Sequence, residues 1–600
     1  MPTDRASARA NEPIAGDPPA LTKPPPSFAL WARPWGPTLA LIGAVLAARL
    51  IFLACFSPYA LVEDEAHYWE WARNLDWSYY SKGPGVAWTI AAGWALTGEA
   101  RFVGLEPEFG VRVLAPVFAA MLSLCVAALA RDAFDDGRVA FAAAAVTCLV
   151  PVFQVLAFLM TIDGPFAAFW ALAALAAWKA IVRGGEGWWA VFGLAVAGSF
   201  LFKYTALLIV PGVIAFALLR ARLSRAGLVE PGRVRPAPML AGSALMLLGL
   251  VPVLVWNAQN EWVTVRHLMG HLGLPGGDRP SAEIAQRSYA PNPLFTLEFL
   301  ALQLAIVGPA LVLMIYGYRR TWRGSPHQPA ARGERAAAVF CLCIGAPVIL
   351  FYLAISPWVR VEGNWTLAGY VSLAALAGWA AVDGMDVRRR RVRDWRALPD
   401  PRPRAGIFRR TPEAHRQVAW HATLWIGLVV GLLMLRVDLL ARLPVLDRLI
   451  PVGRLESGER LSADVAQRLD ELRERGSEAP FAIAQHYGRA SQLAFYLPGR
   501  PVVYCASSHM AGRDTQYDVF PHTDLRRASV FERLRGRDAV ALGGTGEQWA
   551  TAFERVEAID PLPGDHKQRE AFLLFNYRGF PTGAHEPPHA GGTRRDRGGS

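Results

Sequence analysis

The sequence predicts a multi-spanning α-helical membrane protein with a small soluble α/β domain at its C-terminal end. Three observations predict it. Of 600 residues, 53% are hydrophobic and 19% charged, against about 25% charged in an ordinary soluble domain. Mean hydropathy is +0.22. The apolar residues are blocked into runs of about 18 or more, the length that crosses a bilayer core. Together these exclude a soluble globular enzyme, a disordered chain and a disulfide scaffold. The net charge of +12 belongs first to cytoplasmic loops, and no nucleic-acid partner is expected. Six cysteines, at 55, 125, 148, 341, 343 and 505, form no CxxC and no Cys/His cluster. Five lie in apolar runs and read as core residues, with no metal site implied.

Residues 1–36 are polar and Pro-rich and read as a disordered cytoplasmic tail. The first apolar run, 37–56, lacks a small-residue cleavage site and reads as a retained anchor. Eleven spanning helices are predicted: 37–56, 111–130, 138–159, 164–182, 187–203, 204–222, 237–256, 296–318, 335–356, 365–384 and 418–435. As one helix, 187–222 would be about 54 Å long, too long for a core of about 30 Å. It is therefore divided at Lys203-Tyr204-Thr205. The basic loops test that division. Arginines cluster in 220–235 and 319–335, and eleven lie in 386–417. With eleven spans and a cytoplasmic N-terminus all three loops fall inside, where lipid headgroups meet them.

This topology leaves 57–110, 160–163, 257–295, 357–364 and everything after 436 on the outer side. Residues 37–435 form the membrane domain and 436–580 the soluble domain. In the latter, Leu461 to Arg475 has helical periodicity, and Pro480 to Ala484 and Pro501 to Cys505 read as strands. Residues 581–600, rich in Gly, Pro and Arg, read as a disordered tail.

The first outer loop carries the most chemistry. It reads Glu63-Asp64-Glu65-Ala66-His67-Tyr68-Trp69-Glu70-Trp71-Ala72-Arg73, an aromatic helix suited to the membrane interface. Asp64 is expected at its N-cap, where the dipole favours an ionised carboxylate. Such a carboxylate can accept a proton from a hydroxyl, or can simply cap the helix. Lys82 follows, ahead of the turn Gly83-Pro84-Gly85. It is expected at headgroup height, facing a phosphate or snorkelling. Asp163, in Thr161-Ile162-Asp163-Gly164-Pro165, opens a spanning helix. Lys203 sits at the outer turn between two spans and needs an anionic partner. Asn257, Arg266, His267 and Asn364 add polar groups in later outer loops. His267 and His271 have the i, i+4 spacing of a metal pair, but no third ligand stands at useful spacing.

Taken in order, Asp64-Glu65-Ala66-His67-Tyr68-Trp69, Leu75-Asp76-Trp77, Tyr80-Ser81-Lys82 and Pro84 resemble the first periplasmic loop of GT-C glycosyltransferases. The resemblance is to bacterial family 39, which includes protein O-mannosyltransferase-like enzymes and relatives of the aminoarabinose and rhizobial lipopolysaccharide core transferases. Thr161-Ile162-Asp163-Gly164-Pro165, Phe202-Lys203-Tyr204-Thr205, Trp256-Asn257-Ala258-Gln259, Asn364-Trp365, Ala494 to Gly499 and Gln516-Tyr517-Asp518 are similar to further family elements. The Gly83-Pro84-Gly85 turn departs from the family's two successive prolines.

The resemblance implies a GT-C fold and a polyprenyl-phosphate-linked sugar as donor. It implies inverting transfer in one displacement to a lipopolysaccharide or other lipid, a glycan or a protein. It implies a site on the periplasmic face of a bacterial inner membrane. Asp64 is then the general base and Asp163 a second catalytic acid. Lys82 and Lys203 face the donor phosphate, and Glu65, Tyr68, Asn257, Arg266, His267 and Asn364 line the substrates. No cofactor is firmly implied, and dependence on a divalent metal stays open. Two other readings are a transporter or lipid flippase and a non-catalytic scaffold. The first calls for ionisable groups near the bilayer midplane. The second leaves the charges of four outer loops unexplained.

Overall fold

The computed structural model describes residues 35–97, 104–229, 235–272, 276–278, 291–323, 329–396, 412–440, 453–565 and 568–581. The tails expected to be disordered, apart from Trp35, Gly36 and Pro581, lie outside the described residues, as do parts of the three basic loops.

Among the described residues eight helices are long and apolar enough to cross a membrane. They are Gly36–Cys55, Pro107–Phe134, Asp163–Val182, Tyr204–Arg225, Pro236–Gln259, Ala330–Ile355, Gly363–Arg390 and Ala414–Leu435. Pro293–Val307 and Ala310–Thr321 together make a ninth, bent by 91° at the break between them. The remaining two expected spans are shorter than predicted. Gly137–Leu149 has 13 residues and stops before Pro151, which opens a second short helix, Pro151–Val155. Trp188–Phe202 has 15 residues. At 1.5 Å per residue these are about 20 and 22 Å long. The chain is divided at Lys203, which is extended (φ −149°, ψ 124°) between that helix and the next.

Contacts show that the chain still shuttles between two ends. One end gathers Arg112 with Glu65, Lys203 with Asp163, Trp256 with Asp76 and Tyr59 with Met434. The other gathers Arg183 with Asp132, Arg138 with Asp386, Arg235 with Glu186, and Arg320 and Arg416 on Asp383. The described parts of the arginine-rich segments thus lie at the end away from the soluble domain. Small residues let the spans approach. A Cβ on Gly193 would lie 1.9 Å from the Gly242 carbonyl oxygen, so Trp188–Phe202 and Pro236–Gln259 cross with their backbones in contact.

The soluble domain holds a five-stranded sheet of β1 (Phe481–Ala484), β2 (Tyr504–Cys505), β3 (Ala539–Leu542), β4 (Phe553–Ile559) and β5 (Ala571–Tyr577), in the order β2-β1-β3-β5-β4. β1 pairs in parallel with β2 and β3, and β5 pairs antiparallel with β3 and β4. β1 and β3 are buried throughout, as central strands covered on both faces are. Helix Gly453–Glu474, longer than the predicted 461–475, precedes the sheet.

This domain is docked on helix Glu63–Arg73. The Tyr496 hydroxyl accepts the Leu61 N–H at 2.7 Å, and Gln492 donates to the Leu61 carbonyl at 2.9 Å. His67 Nδ1 and Ser491 Oγ lie 3.0 Å apart, and Trp69 packs edge-on against Phe495. The same helix is pinned to the membrane part by Glu65. Its carboxylate accepts Arg112 Nε at 2.9 Å, Arg112 Nη2 at 2.6 Å and the Met160 N–H at 2.8 Å. Arg112 also donates to the carbonyls of Tyr59 and Ala60. Both side chains are buried, at 0% and 2% exposure.

Removing one partner of such a pair strands a buried charge, at about 3–5 kcal/mol. Arg112→Met alone is therefore expected to lower the thermal unfolding midpoint in detergent sharply. Adding Glu65→Leu is expected to recover much of the loss. A single variant that melts with the wild type would show that the pair does not hold the helix.

Candidate active site

The site is assembled from several separate pieces of chain. Helix Glu63–Arg73 contributes Asp64 and Tyr68. Its N-cap is Val62, so Asp64 is not the cap that the sequence suggests but the second residue of the helix. Asp64 is exposed to solvent. Burial holds its pKa above the usual carboxylate range, against the Lys82 charge, with Glu63, Glu65 and Asp163 adding to the rise. Among the described residues it has no hydrogen-bond or ion-pair partner.

Lys82 comes from the loop before the short helix Gly85–Leu96. Ser78 Oγ and the Tyr79 N–H both donate to the Lys82 carbonyl. Gly83 passes so close to the membrane part that a Cβ there would lie 2.3 Å from the Leu201 carbonyl oxygen. Only glycine fits, and the contact sets Lys82 beside the turn that carries Lys203. The Lys82 ammonium is lowered to about 8 by burial and by the Lys203 charge, against the pull of Asp163 and Asp64, with Arg513 lowering it further.

Asp163 opens helix Asp163–Val182. One of its oxygens pairs with Lys203 Nζ at 2.9 Å, and the other accepts from Asn364 Nδ2 at 2.6 Å. Lys203 also lies over the Phe166 ring. The soluble domain supplies Tyr487 and Arg513. The charge of Asp64 raises the Tyr487 phenol behind the larger effect of burial, and Arg513 opposes it. Burial and the Asp64 charge push the Tyr68 phenol well above its usual value.

The structure places several expected site residues elsewhere. Glu65 does not line a substrate surface, because Arg112 and the Met160 N–H occupy its carboxylate in the interior. Asn257 is buried and bonded at both ends, to the Val253 carbonyl and the Thr264 N–H, so it ties two helices together. Arg266 is exposed and lies 3.8 Å from Glu261. His267 is buried, with Nδ1 2.7 Å from Asp278 Oδ2, and the Tyr80 hydroxyl donates to the same oxygen at 2.5 Å. The side chain of His271 lies outside the described residues. Asp163 belongs to the cluster, but as an ion-paired acid rather than an open one.

Arg112, Tyr487 and Arg513 were not singled out from the sequence. Arg112 had a signal, since a cation entering a long apolar run demands a partner. Among the described residues no group of three or more His, Cys, Asp or Glu gathers to hold a metal. Two cavities lie nearby. One of about 410 Å³ is lined by Glu106, Glu108, Glu459, Tyr496 and Arg500 among others, and one of about 220 Å³ by Phe52, Tyr59, Arg112, Phe158 and Met434 among others. Neither includes Asp64 or Lys82.

Residues 81–256 match the family model described as dolichyl-phosphate-mannose-protein mannosyltransferase. That segment carries Lys82, Asp163 and Lys203. Over 318 residues the chain is 29% identical to the lipid A galacturonosyltransferase RgtD of Rhizobium johnstonii, covering 53% of this chain and 59% of that protein. The fold is similar to that of ArnT from Cupriavidus metallidurans, solved bound to undecaprenyl phosphate. The TM-score is 0.54 at 16% identity, covering 89% of this chain and 97% of that one.

An ammonium with a pKa of about 8 holds an anion only while protonated. Phosphate affinity at the cluster, followed by ³¹P line broadening, is expected to fall as pH rises from 7 to 9. The Lys82→Arg variant, whose guanidinium does not titrate there, is expected to stay flat. A wild-type profile as flat as the variant's would remove Lys82 from anion binding.

Proposed function

For this chain, which has the fold of the GT-C membrane glycosyltransferases, we propose a polyprenyl-phosphate-dependent glycosyltransferase of a bacterial inner membrane. It moves a sugar to an acceptor hydroxyl on the periplasmic face, in one inverting displacement. The observation that carries the reading is the contrast between Asp64 and Asp163. Both acids stand in one cluster at the outer end of the spans. Asp163 has both oxygens engaged by Lys203 and Asn364, whereas Asp64 has no partner among the described residues and stands in the field of Lys82.

Asp64 is the general base. Its pKa, raised by burial, makes it a better proton acceptor than an ordinary carboxylate. The acceptor oxygen attacks the anomeric carbon and its proton passes to Asp64. The bond from that carbon to the phosphate oxygen breaks, and the electron pair leaves with the polyprenyl phosphate. The phosphate gains a negative charge in that step, and the Lys82 ammonium stabilises it as it develops. Asp163 holds Lys203 and Asn364 in place and is a positioning residue. Tyr68 and Tyr487 flank the acceptor side.

The matches support the donor class: the family model's description contains dolichyl phosphate and the ArnT structure holds undecaprenyl phosphate. The name of the Rhizobium relative makes a lipid A-type lipopolysaccharide lipid the first acceptor to test, ahead of a glycan or a protein. The periplasmic face follows from the positive-inside rule applied to the arginine-rich segments at the far end. A transporter or flippase reading has less support, because the acids and lysines of the cluster sit at one end rather than near the midplane.

The test uses purified protein and a panel of radiolabelled polyprenyl-phosphate sugars, with membrane lipopolysaccharide as acceptor. The wild type is expected to transfer one of them. Asp64→Asn is expected to lose about 10²–10⁴-fold in rate with donor binding retained. Equal rates in the two proteins would remove Asp64 from the chemistry. No transfer from any donor would overturn the glycosyltransferase reading.

A further inference from the structure

The stretch that carries Lys82, residues 74–84, lies between helices Glu63–Arg73 and Gly85–Leu96 and contains neither helix nor strand. With no hydrogen-bond ladder of its own, it takes its position from the bonds that other segments make to it. Three of these come from the end of the span Pro236–Gln259 and the chain after it. Trp256 Nε1 donates to Asp76 Oδ2 at 2.7 Å, and Thr264 Oγ1 donates to the Tyr79 carbonyl at 3.2 Å. The Tyr80 hydroxyl donates to Asp278 Oδ2 at 2.5 Å. From the soluble domain, Gln516 Oε1 accepts the Tyr80 N–H at 2.6 Å. Tyr80 is thus held by both its backbone and its side chain, two residues before Lys82.

The bond to Asp278 is charge-assisted. The same carboxylate oxygen lies 2.7 Å from His267 Nδ1, and the buried rings of Tyr80 and His267 stand 5.1 Å apart. Burial would raise the Asp278 carboxyl, but the bonds from His267 and Tyr80 hold it below its usual range. Burial lowers His267, so its imidazole is neutral. A carboxylate only accepts, so His267 donates through Nδ1. Two donors therefore converge on one ionised oxygen, and bonds of this kind are about twice as strong as those between neutral groups.

The charged groups acting on the Lys82 ammonium are Lys203, Arg513, Asp163 and Asp64, and its own charge is felt at His267. An ammonium on a four-carbon stem can reach many positions, so the backbone beneath it decides which of them meet a phosphate. We infer that Asp278 is a positioning residue for Lys82: acting through Tyr80, it sets where the ammonium stands in the donor-phosphate subsite. The inference rests on the glycosyltransferase reading and on the part given there to Lys82. It deepens that reading by making a carboxylate from a distant segment a determinant of donor binding. His267, expected to line a substrate, instead orients Asp278.

The experiment compares the full-length protein in detergent with Tyr80→Phe, Asp278→Asn and Tyr496→Phe. The last removes another hydrogen-bonded hydroxyl at the seam with the soluble domain, one that joins Leu61 and Glu108 rather than the Lys82 stretch. Binding of sugar-free polyprenyl phosphate is followed from pH 7 to 10 by ³¹P line broadening, with sugar transfer and the thermal midpoint measured alongside. Losing a charge-assisted hydrogen bond corresponds to about tenfold in affinity. Tyr80→Phe is expected to weaken binding about tenfold at pH 7, and Asp278→Asn, which keeps an oxygen acceptor, by less. In both, the ammonium regains water and rises from about 8 toward the ordinary lysine value, so binding is lost at higher pH than in the wild type. Tyr496→Phe is expected to lower the thermal midpoint and leave the pH profile in place. Wild-type affinity and profile in either Tyr80→Phe or Asp278→Asn would overturn the inference and leave the function standing. Weaker binding with an unmoved profile, or an equal shift in Tyr496→Phe, would also overturn it, because either reports general loosening. A wild-type profile that is flat would remove Lys82 from the subsite and the inference with it. A wild type that neither binds polyprenyl phosphate nor transfers sugar would instead sink the reading beneath it.

Discussion

The buried pair of Glu65 and Arg112 is the constraint on which the rest of the site depends. It joins helix Glu63–Arg73 to the start of the long span Pro107–Phe134. Through the Met160 N–H it also takes in the segment that leads to Asp163. A charge pair this deep is worth little in net stability, since desolvation offsets its attraction. What it supplies is position. Because Glu65 takes the arginine, the neighbouring acid, Asp64, is turned outward without one. The adjacent carboxylates thereby acquire opposite characters, one fixed in the interior and one open at the surface.

The same division recurs across the cluster. Asp163 and Lys203 satisfy each other, while Asp64 and Lys82 stay apart, each shifted toward its neutral form by burial. Pushing a base up and a cation down brings both toward working pH, the usual arrangement for acid–base and anion chemistry in one site. The soluble domain completes the arrangement. Its hydrogen bonds to Leu61, His67 and Tyr80 clamp the helix of Asp64 and the loop of Lys82 from above. Motion of that domain would move both groups, so the two halves of the chain work as one unit.

Much of this was legible in the sequence, and the exceptions have physical causes. The apolar runs gave helices at all eleven expected places, and the division at Lys203 follows from length and charge bias alone. The span expected over 138–159 came out shorter because hydropathy counts apolar residues and does not register that the helix stops before Pro151. Asp64, Lys82, Asp163, Lys203 and Asn364 could be singled out because ionisable and amide groups at span ends are conspicuous, and the structure brings them to one cluster. The fate of Glu65 could not be read, since its partner lies 47 residues on and only the fold joins them. Asn257 looked available because its two local partners, Val253 and Thr264, are backbone groups that no side-chain pattern reveals. Arg513 sits more than 400 residues from Lys82, and no spacing rule spans that distance.

The central claim is that an open carboxylate, freed by its neighbour's ion pair, drives a single displacement at the anomeric carbon. The configuration of the product tests it most directly. With a donor of known anomeric configuration, NMR of the newly formed glycosidic linkage reads the outcome from the anomeric coupling constant. The account predicts inversion in every product molecule. Retention would mean two displacements through a glycosylated intermediate, and would contradict the role given to Asp64.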